Sequence, residues 1–323
     1  MPRFGLHLTS FGPPSDPSEQ LFPRVLALAE TMERSGFDSL WLTDHLRNLG
    51  PEGPAPPMPE AYTLLSAIAA RTEKLRLGVL ATSVTYRNPA LLAKMMTTLD
   101  VISGGRVILG IGAGHPRTEA EQRSCGFEFP PIGERMSRLE EALQIIRAMF
   151  AQQAAAWAGR HYAVHEAFNA PRPIQPGGPP ILVAGSGELR LLRLAAKYGE
   201  MCNLSFPSGD TLDTLPHKLE VLRRHCQAVG RDAAEIRVTY KALLAVADAE
   251  VEAQRLWAAY RDARGLPDFG PRAGVFVGTP ATVAAQARQF VEAGVDALIF
   301  EMPDAYDLAH IEAAGQALMQ ACN

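Results

Sequence analysis

Ser35-Gly36-Phe37-Asp38-Ser39-Leu40, near the start of the chain, is echoed near its end by Ala293-Gly294-Val295-Asp296-Ala297-Leu298. Each stretch reads as a helix end closed by a glycine in the left-handed region, then a carboxylate, then a buried strand. A weaker copy, Tyr198-Gly199-Glu200-Met201, falls between them. Repeated turns of this kind fit a barrel of β/α units. Any α/β protein needs similar turns, so an open sheet is the alternative.

Working outward, Ser39 to Thr43 is a strand, preceded by a helix over about Leu21 to Arg34 and, before that, a strand at Phe4 to Leu8. Leu21, Val25, Leu28, Ala29 and Met32 carry the helical spacing, with Pro23 in the first turn. A helix from Ala61 to Ala70, a strand from Leu75 to Val84 and a helix from Asn88-Pro89 to Ile102 follow. The asparagine caps that last helix and the proline occupies its first position. Val107 to Ile111 is a strand, and Met136, Leu139, Leu143, Ile146 and Phe150 mark a regular amphipathic helix. Residues 153–180, rich in Ala, Gly and Pro, break the rhythm as an irregular insertion. Alternation resumes with a strand at Ile181 to Ala184, a helix at Glu188 to Tyr198, a strand at Met201 to Phe206 and a helix at Leu215 to Val229. A long strand at Ile236 to Val246, a helix near Val251 to Tyr260, a helix capped by Thr279-Pro280 and a strand at Ala297 to Phe300 complete the pattern. About eight strands alternating with helices predict one α/β domain over residues 1–323, a (β/α)8 TIM barrel with insertions. The doubly wound alternative needs a dinucleotide fingerprint. Gly110-Ile111-Gly112-Ala113-Gly114-His115 puts His where the third glycine belongs, and Gly185-Ser186-Gly187 leads to Arg190.

The 323 residues carry 31 Lys and Arg against 35 Asp and Glu, so no clustered positive charge invites nucleic acid. No apolar run approaches the roughly 18 to 20 residues of a membrane span. Met1-Pro2-Arg3 leads straight into a strand, leaving no room for a signal peptide. Cys125, Cys202, Cys226 and Cys322 form no C-x-x-C pair, which speaks against structural zinc and a disulfide framework. The expectation is a cytoplasmic protein acting on a small molecule, without nucleic acid or membrane.

In a barrel the reacting groups lie just past the C-terminal ends of the strands. Thr43-Asp44-His45, Ala81-Thr82-Ser83, Ala113-Gly114-His115 and Gly185-Ser186-Gly187-Glu188 occupy such places. An Asp–His pair is a natural acid–base unit, because a carboxylate orients an imidazole. Against this, neighbouring strand residues point to opposite faces, which would leave Asp44 a cap and His45 a surface group. Gly185 to Gly187, followed by a helix opening at Glu188-Leu189, would aim free N–H groups and the positive end of the helix dipole at a phosphate, or form only a tight turn. His161 and His165 have a metal-like spacing but no third ligand nearby, so no metal is expected.

Together these segments resemble the luciferase-like monooxygenases and their deazaflavin-dependent oxidoreductase relatives, from about residue 2 to 303. The resemblance rests on Gly36 to Trp41 leading to Asp44-His45, on Tyr86 to Lys94, and on Thr98 to Arg106. Leu109 to Gly114, and Pro179-Pro180-Ile181 before Ala184 to Gly187, complete it. It implies a luciferase-like barrel, usually a homodimer, that holds a flavin-like ring at its C-terminal mouth. The branch it is most similar to uses coenzyme F420, implying hydride transfer between F420 and an organic substrate. A monooxygenase using reduced flavin mononucleotide (FMN), a non-catalytic flavin- or deazaflavin-binding protein, and a cofactor-free lyase or hydrolase are the alternatives. By the same resemblance Asp44 contacts the cofactor and His45 is the proton donor. Leu80-Ala81 is implied to form a non-prolyl cis peptide behind the ring, with Ser83 close by. Ala113, Gly114 and the span Gly185, Ser186, Gly187, Glu188, Leu189 are implied to hold the cofactor's side chain and phosphate. His115 stands where the family's sugar-phosphate dehydrogenases place an acidic catalytic residue, and joins the cofactor-site candidates. The tryptophan those enzymes carry shortly after the Asp–His pair is absent, and lysines for a substrate phosphate are missing around Ser205 to Asp210.

Overall fold

The alternation resolves into strands and helices in the computed structural model, which describes residues 3–13, 15–47, 56–205 and 208–321. The first half runs β1 (Arg3–Leu8), α1 (Leu21–Arg34), β2 (Ser39–Leu42), α2 (Ala61–Ala69), β3 (Arg76–Val79), β4 (Thr82–Ser83), α3 (Pro89–Ser103) and β5 (Val107–Gly112). Then come α4 (Glu119–Ser124), α5 (Ile132–Ala151) and an antiparallel hairpin of β6 (Ala154–Ala158) and β7 (Ala163–Phe168). The second half runs β8 (Ile181–Ala184), α6 (Leu191–Tyr198), β9 (Met201–Ser205), α7 (Leu215–Ala228) and β10 (Arg237–Val246). It ends with α8 (Glu250–Arg264), β11 (Val275–Gly278), α9 (Pro280–Glu292), β12 (Ala297–Glu301) and α10 (Leu308–Ala321). The expected strand end at Phe206, the lead-in Met1-Pro2 and Cys322 lie outside the described residues.

Parallel pairing joins β1, β2, β3, β5, β8, β9, β10 and β12 in that order, and β12 returns to β1, closing a (β/α)8 barrel. The middle of the barrel is filled by Trp41, whose Nε1 donates to Ser39 Oγ at 3.0 Å. Glycines on neighbouring strands make the room: a Cβ on Gly78 would sit 2.4 Å from the Trp41 ring, and one on Gly5 would meet Ser39 Oγ at the same distance. Ile108, Leu182, Met201 and Ile299 pack around the indole. The barrel is therefore a packed core, and only its ends can bind anything.

Several expectations need correction. The strand foreseen over Leu75 to Val84 is interrupted: β3 ends at Val79 and the backbone turns through Leu80-Ala81, joined by a cis peptide, before β4 rejoins β5. The insertion at 153–180 is not wholly irregular. Its Ala-rich start pairs with Ala163–Phe168, and the turn between them is held by the Glu141 carboxylate of α5, which accepts from the N–H groups of Arg160, His161 and Tyr162 at 2.9–3.1 Å. β11 is an additional strand, paired to Leu243–Val246 where β10 outruns the barrel. Gly36 and Gly294 have φ of +86° and +99°, as helix-closing glycines should. Gly199 does not: its φ is −95°, and its lack of a side chain serves close approach, since a Cβ there would lie 3.0 Å from Met201 O.

Candidate active site

At the C-terminal mouth, His45 follows β2 and stands partly exposed with a carboxylate under it. Its Nδ1 lies 2.9 Å from Glu121 Oε2, and Glu121 is fully buried. Being a carboxylate, Glu121 can only accept there, so in the neutral ring Nδ1 carries the proton and Nε2 is the acceptor. Glu121 also accepts from Tyr86 Oη at 2.9 Å and from the Leu46 N–H. Burial alone would raise the Glu121 carboxyl, but these bonds and the His45 charge hold it below its ordinary value. Glu121 belongs to the six-residue α4, which carries no sequence signal of its own.

Asp44 is not the partner of His45. Adjacent residues diverge, and Asp44 turns inward to Arg87, whose guanidinium grips both carboxylate oxygens at 2.8 and 3.0 Å. Burial pushes the Asp44 carboxyl up, and Arg87 opposes this. Arg87 also reaches Glu60 and lies over the Tyr62 ring, 4.7 Å from its centroid. The Ser83 N–H donates to Asp44 at 3.3 Å, while its hydroxyl pairs with Thr85. Asp44 and Ser83 are thus tied together behind His45.

Beside this pair the mouth has a shelf of small residues at the ends of β5 and β8 and in the turn between β3 and β4. A Cβ placed on Gly112 would lie 3.4 Å from Ala184 O, 3.7 Å from Ala184 Cβ and 4.0 Å from Ala81 Cβ. Leu80 belongs to the Trp41 cluster, against which Ala81 and Ala184 also pack. The carbonyls of Ala113 and Gly114 are both held by the buried Arg135, which stacks on Phe129. His115 is exposed, and its Nδ1 accepts from the Arg117 N–H at 3.2 Å. Desolvation and the Arg117 charge lower its pKa.

After β8 the chain runs Gly185-Ser186-Gly187, then a turn at Glu188 to Arg190. α6 starts at Leu191, not at Glu188-Leu189. The turn exists because Leu191 tucks back onto the glycines: a Cβ on Gly185 would lie 2.6 Å from its Cδ1, and the Gly185 φ is +116°. Among the described residues the N–H groups of Gly187, Glu188 and Leu189 have no acceptor. The Glu188 carboxylate is drawn off to Lys218 Nζ at 2.8 Å and His217 at 3.3 Å, and Leu189 points to solvent. Lys218 also donates to Ser186 O at 3.1 Å, which brings a cation to this turn that sequence reasoning did not identify.

On the β1 side of His45, the inner face of the mouth carries His7 on β1, Lys241 on β10 and Glu301 on β12. Lys241 Nζ lies 2.9 Å from Glu301, which also accepts from Thr9 Oγ1 at 2.7 Å and from Tyr260. Burial would raise the Glu301 carboxyl, but Lys241 and the other donors hold it well below the usual range. None of these residues stood out in the sequence, because one polar position at the end of an apolar strand looks like the strand's end. Among the described residues no cluster of His, Cys, Asp and Glu suits a metal, and no helix is long and apolar enough to cross a membrane.

A closed parallel barrel with a histidine on a buried carboxylate and a small-residue shelf at its C-terminal mouth defines a barrel of the kind that binds a ligand across its strand ends. Residues 1–265 match the family described as luciferase-like monooxygenase. The chain belongs to that family. An F420-dependent glucose-6-phosphate dehydrogenase of Kineococcus radiotolerans is 31% identical over 315 residues, covering 88% of this chain and 89% of its own. Its namesake from Amycolatopsis mediterranei is 28% identical over 312 residues, covering 88% and 90%. Among solved structures, a monooxygenase from Streptomyces bottropensis matches with a TM-score of 0.83 at 22% identity, covering 99% of this chain and 100% of its own. The coenzyme F420-dependent tetrahydromethanopterin reductase of Methanopyrus kandleri matches at 0.77 and 20%, covering 99% of each. At such identities the two structures speak for the fold.

Proposed function

We propose that the chain is an F420-dependent oxidoreductase that moves hydride between coenzyme F420 and an organic substrate, with His45 handling the accompanying proton. The observation that carries this reading is the His45–Glu121 pair beside the Ala81–Gly112–Ala184 shelf. The F420-dependent relatives, aligned along nearly the whole chain, favour the deazaflavin over FMN. The donor set fits such a cofactor: a shelf carrying only alanine methyls for its ring, and N–H groups at Gly187 to Leu189 without an acceptor among the described residues, with Lys218 nearby, for its phosphate. The resemblance assigns Asp44, Ser83, Ala113 and Gly114 to the same cofactor. When bound, the deazaflavin supplies the hydride chemistry.

The chain's own part is proton transfer and placement. In the oxidising direction a substrate hydroxyl gives its proton to His45 Nε2, and the Glu121 carboxylate stabilises the imidazolium that forms. In the reducing direction Nε2 returns that proton to the product oxygen. Such a group is worth roughly 10² to 10⁴ in rate. One domain, a homodimer and a cytoplasmic location belong to the same reading; the exposed Leu91, Val101 and Ile102 on α3 support a contact between copies.

His45→Ala should lower turnover at least about a hundredfold while leaving F420 affinity within a few-fold, measured by steady-state kinetics and fluorescence titration. Equal loss of both would make His45 a structural contact and leave the proton unassigned.

A further inference from the structure

His7 is the group in the barrel mouth that the protein leaves unanswered. Its side chain is 4% exposed, and neither Nδ1 nor Nε2 has a hydrogen-bond partner. The Leu80 backbone runs alongside the ring without reaching hydrogen-bond geometry. Burying an imidazole with both nitrogens unpaired is unfavourable, and a ligand that pairs with them removes the cost. The ring forms part of the wall of a pocket of about 360 Å³, within the range of small-molecule sites. Burial and the nearby Lys241 charge keep the imidazole neutral, so it offers one donor and one acceptor.

We propose that His7 is a substrate-binding residue and that this pocket takes an uncharged substrate bearing a hydroxyl or carbonyl group, not a phosphorylated one. The inference rests on the oxidoreductase reading and adds the substrate's class to it. The charged groups around the pocket are already paired with one another. Glu301 is matched by Lys241 at 2.9 Å and by Arg264 at 3.5 Å, and Arg264 also stacks on Tyr260. Asp304 and Asp307 line the same pocket and add negative charge, shared with His310. A phosphate dianion would meet the carboxylates of Asp304 and Asp307, while Arg264 in the lining already faces Glu301. A hydroxyl or carbonyl needs only the neutral ring of His7.

The test begins with fluorescence titration of the protein by F420; absence of binding defeats the oxidoreductase reading and this inference with it. In a protein that binds F420, turnover is then compared for cyclohexanol, glucose and glucose 6-phosphate. At least one uncharged member should turn over with a kcat/KM tenfold or more above that of glucose 6-phosphate. Preference for the phosphorylated sugar, or no response to either uncharged compound, overturns the inference while leaving the cofactor assignment standing. His7→Phe keeps a ring of similar shape and removes both nitrogens. It should raise KM for the responding substrate at least tenfold, with kcat within threefold and F420 affinity within twofold, and His7→Gln should recover part of the loss. An unchanged KM in His7→Phe, with the fold intact by circular dichroism, also overturns the assignment.

Discussion

Glu121 decides which nitrogen of His45 meets the barrel mouth, and its own ionisation ties stability to pH. Its folded pKa is depressed, so it contributes stability that is present above its ordinary value of 4.5 and lost as pH falls through the lower, folded value. Glu121→Gln should therefore unfold at lower urea than the parent at pH 7, and the gap should narrow as pH drops below about 4.5. A gap independent of pH would show that Glu121 acts by shape alone. His45 stood out as a candidate acid–base residue because it follows a strand beside a carboxylate. Its true partner did not, because Asp44 shares its strand end but not its direction, and Glu121 comes from a short helix 76 residues away in sequence. Arg87 was hidden likewise: it sits inside a stretch quoted for its resemblance, and only the folded geometry shows it gripping Asp44.

The helices were the most readable elements, since their 3.6-residue period and their caps are local. α1 starts and ends at the expected residues, and α3 begins at the Asn88-Pro89 cap, where Asn88 Oδ1 accepts from the Ala90 N–H at 2.9 Å. α6 begins three residues later than its composition indicates, because packing of Leu191 against Gly185 selects a turn first. That delay leaves the N–H groups of Gly187 to Leu189 outside the helix and free for a ligand. Gly187→Val should weaken F420 binding at least tenfold with the fold retained by circular dichroism, since its larger side chain meets Leu191, already 3.4 Å from a bare Cβ, and crowds the turn. Normal binding by that variant would place the phosphate elsewhere. The break after β3, the hairpin and β11 escaped the sequence reading because each depends on a partner distant in the chain: β4 on β5, β6 on β7, β11 on the far end of β10.

Across the whole molecule, closure of the barrel depends on one indole and the glycines that admit it. Gly78→Ala forces a methyl to within 2.4 Å of Trp41. It should cost about 1 to 3 kcal/mol in urea unfolding, and a change below about 0.5 kcal/mol would mean the ring can move aside. A wider hollow at the opposite end, lined by Arg34, Gly36, Gln316 and Met319, lies at the N-terminal face and away from the His45 and Glu301 groups. In this fold chemistry belongs to the other face. Barrel class was readable from the repeated glycine turns and the strand count, whereas the identity of the mouth residues was not, because it requires the ring to close. The central claim is that this mouth holds a deazaflavin. It is tested most directly by titrating the protein with coenzyme F420 and with FMN under the same conditions. The account predicts that F420 binds at least about tenfold more tightly, a difference of about 1.4 kcal/mol. Tighter binding of FMN would contradict it and point to a flavin monooxygenase, and binding of neither would leave a cofactor-free barrel.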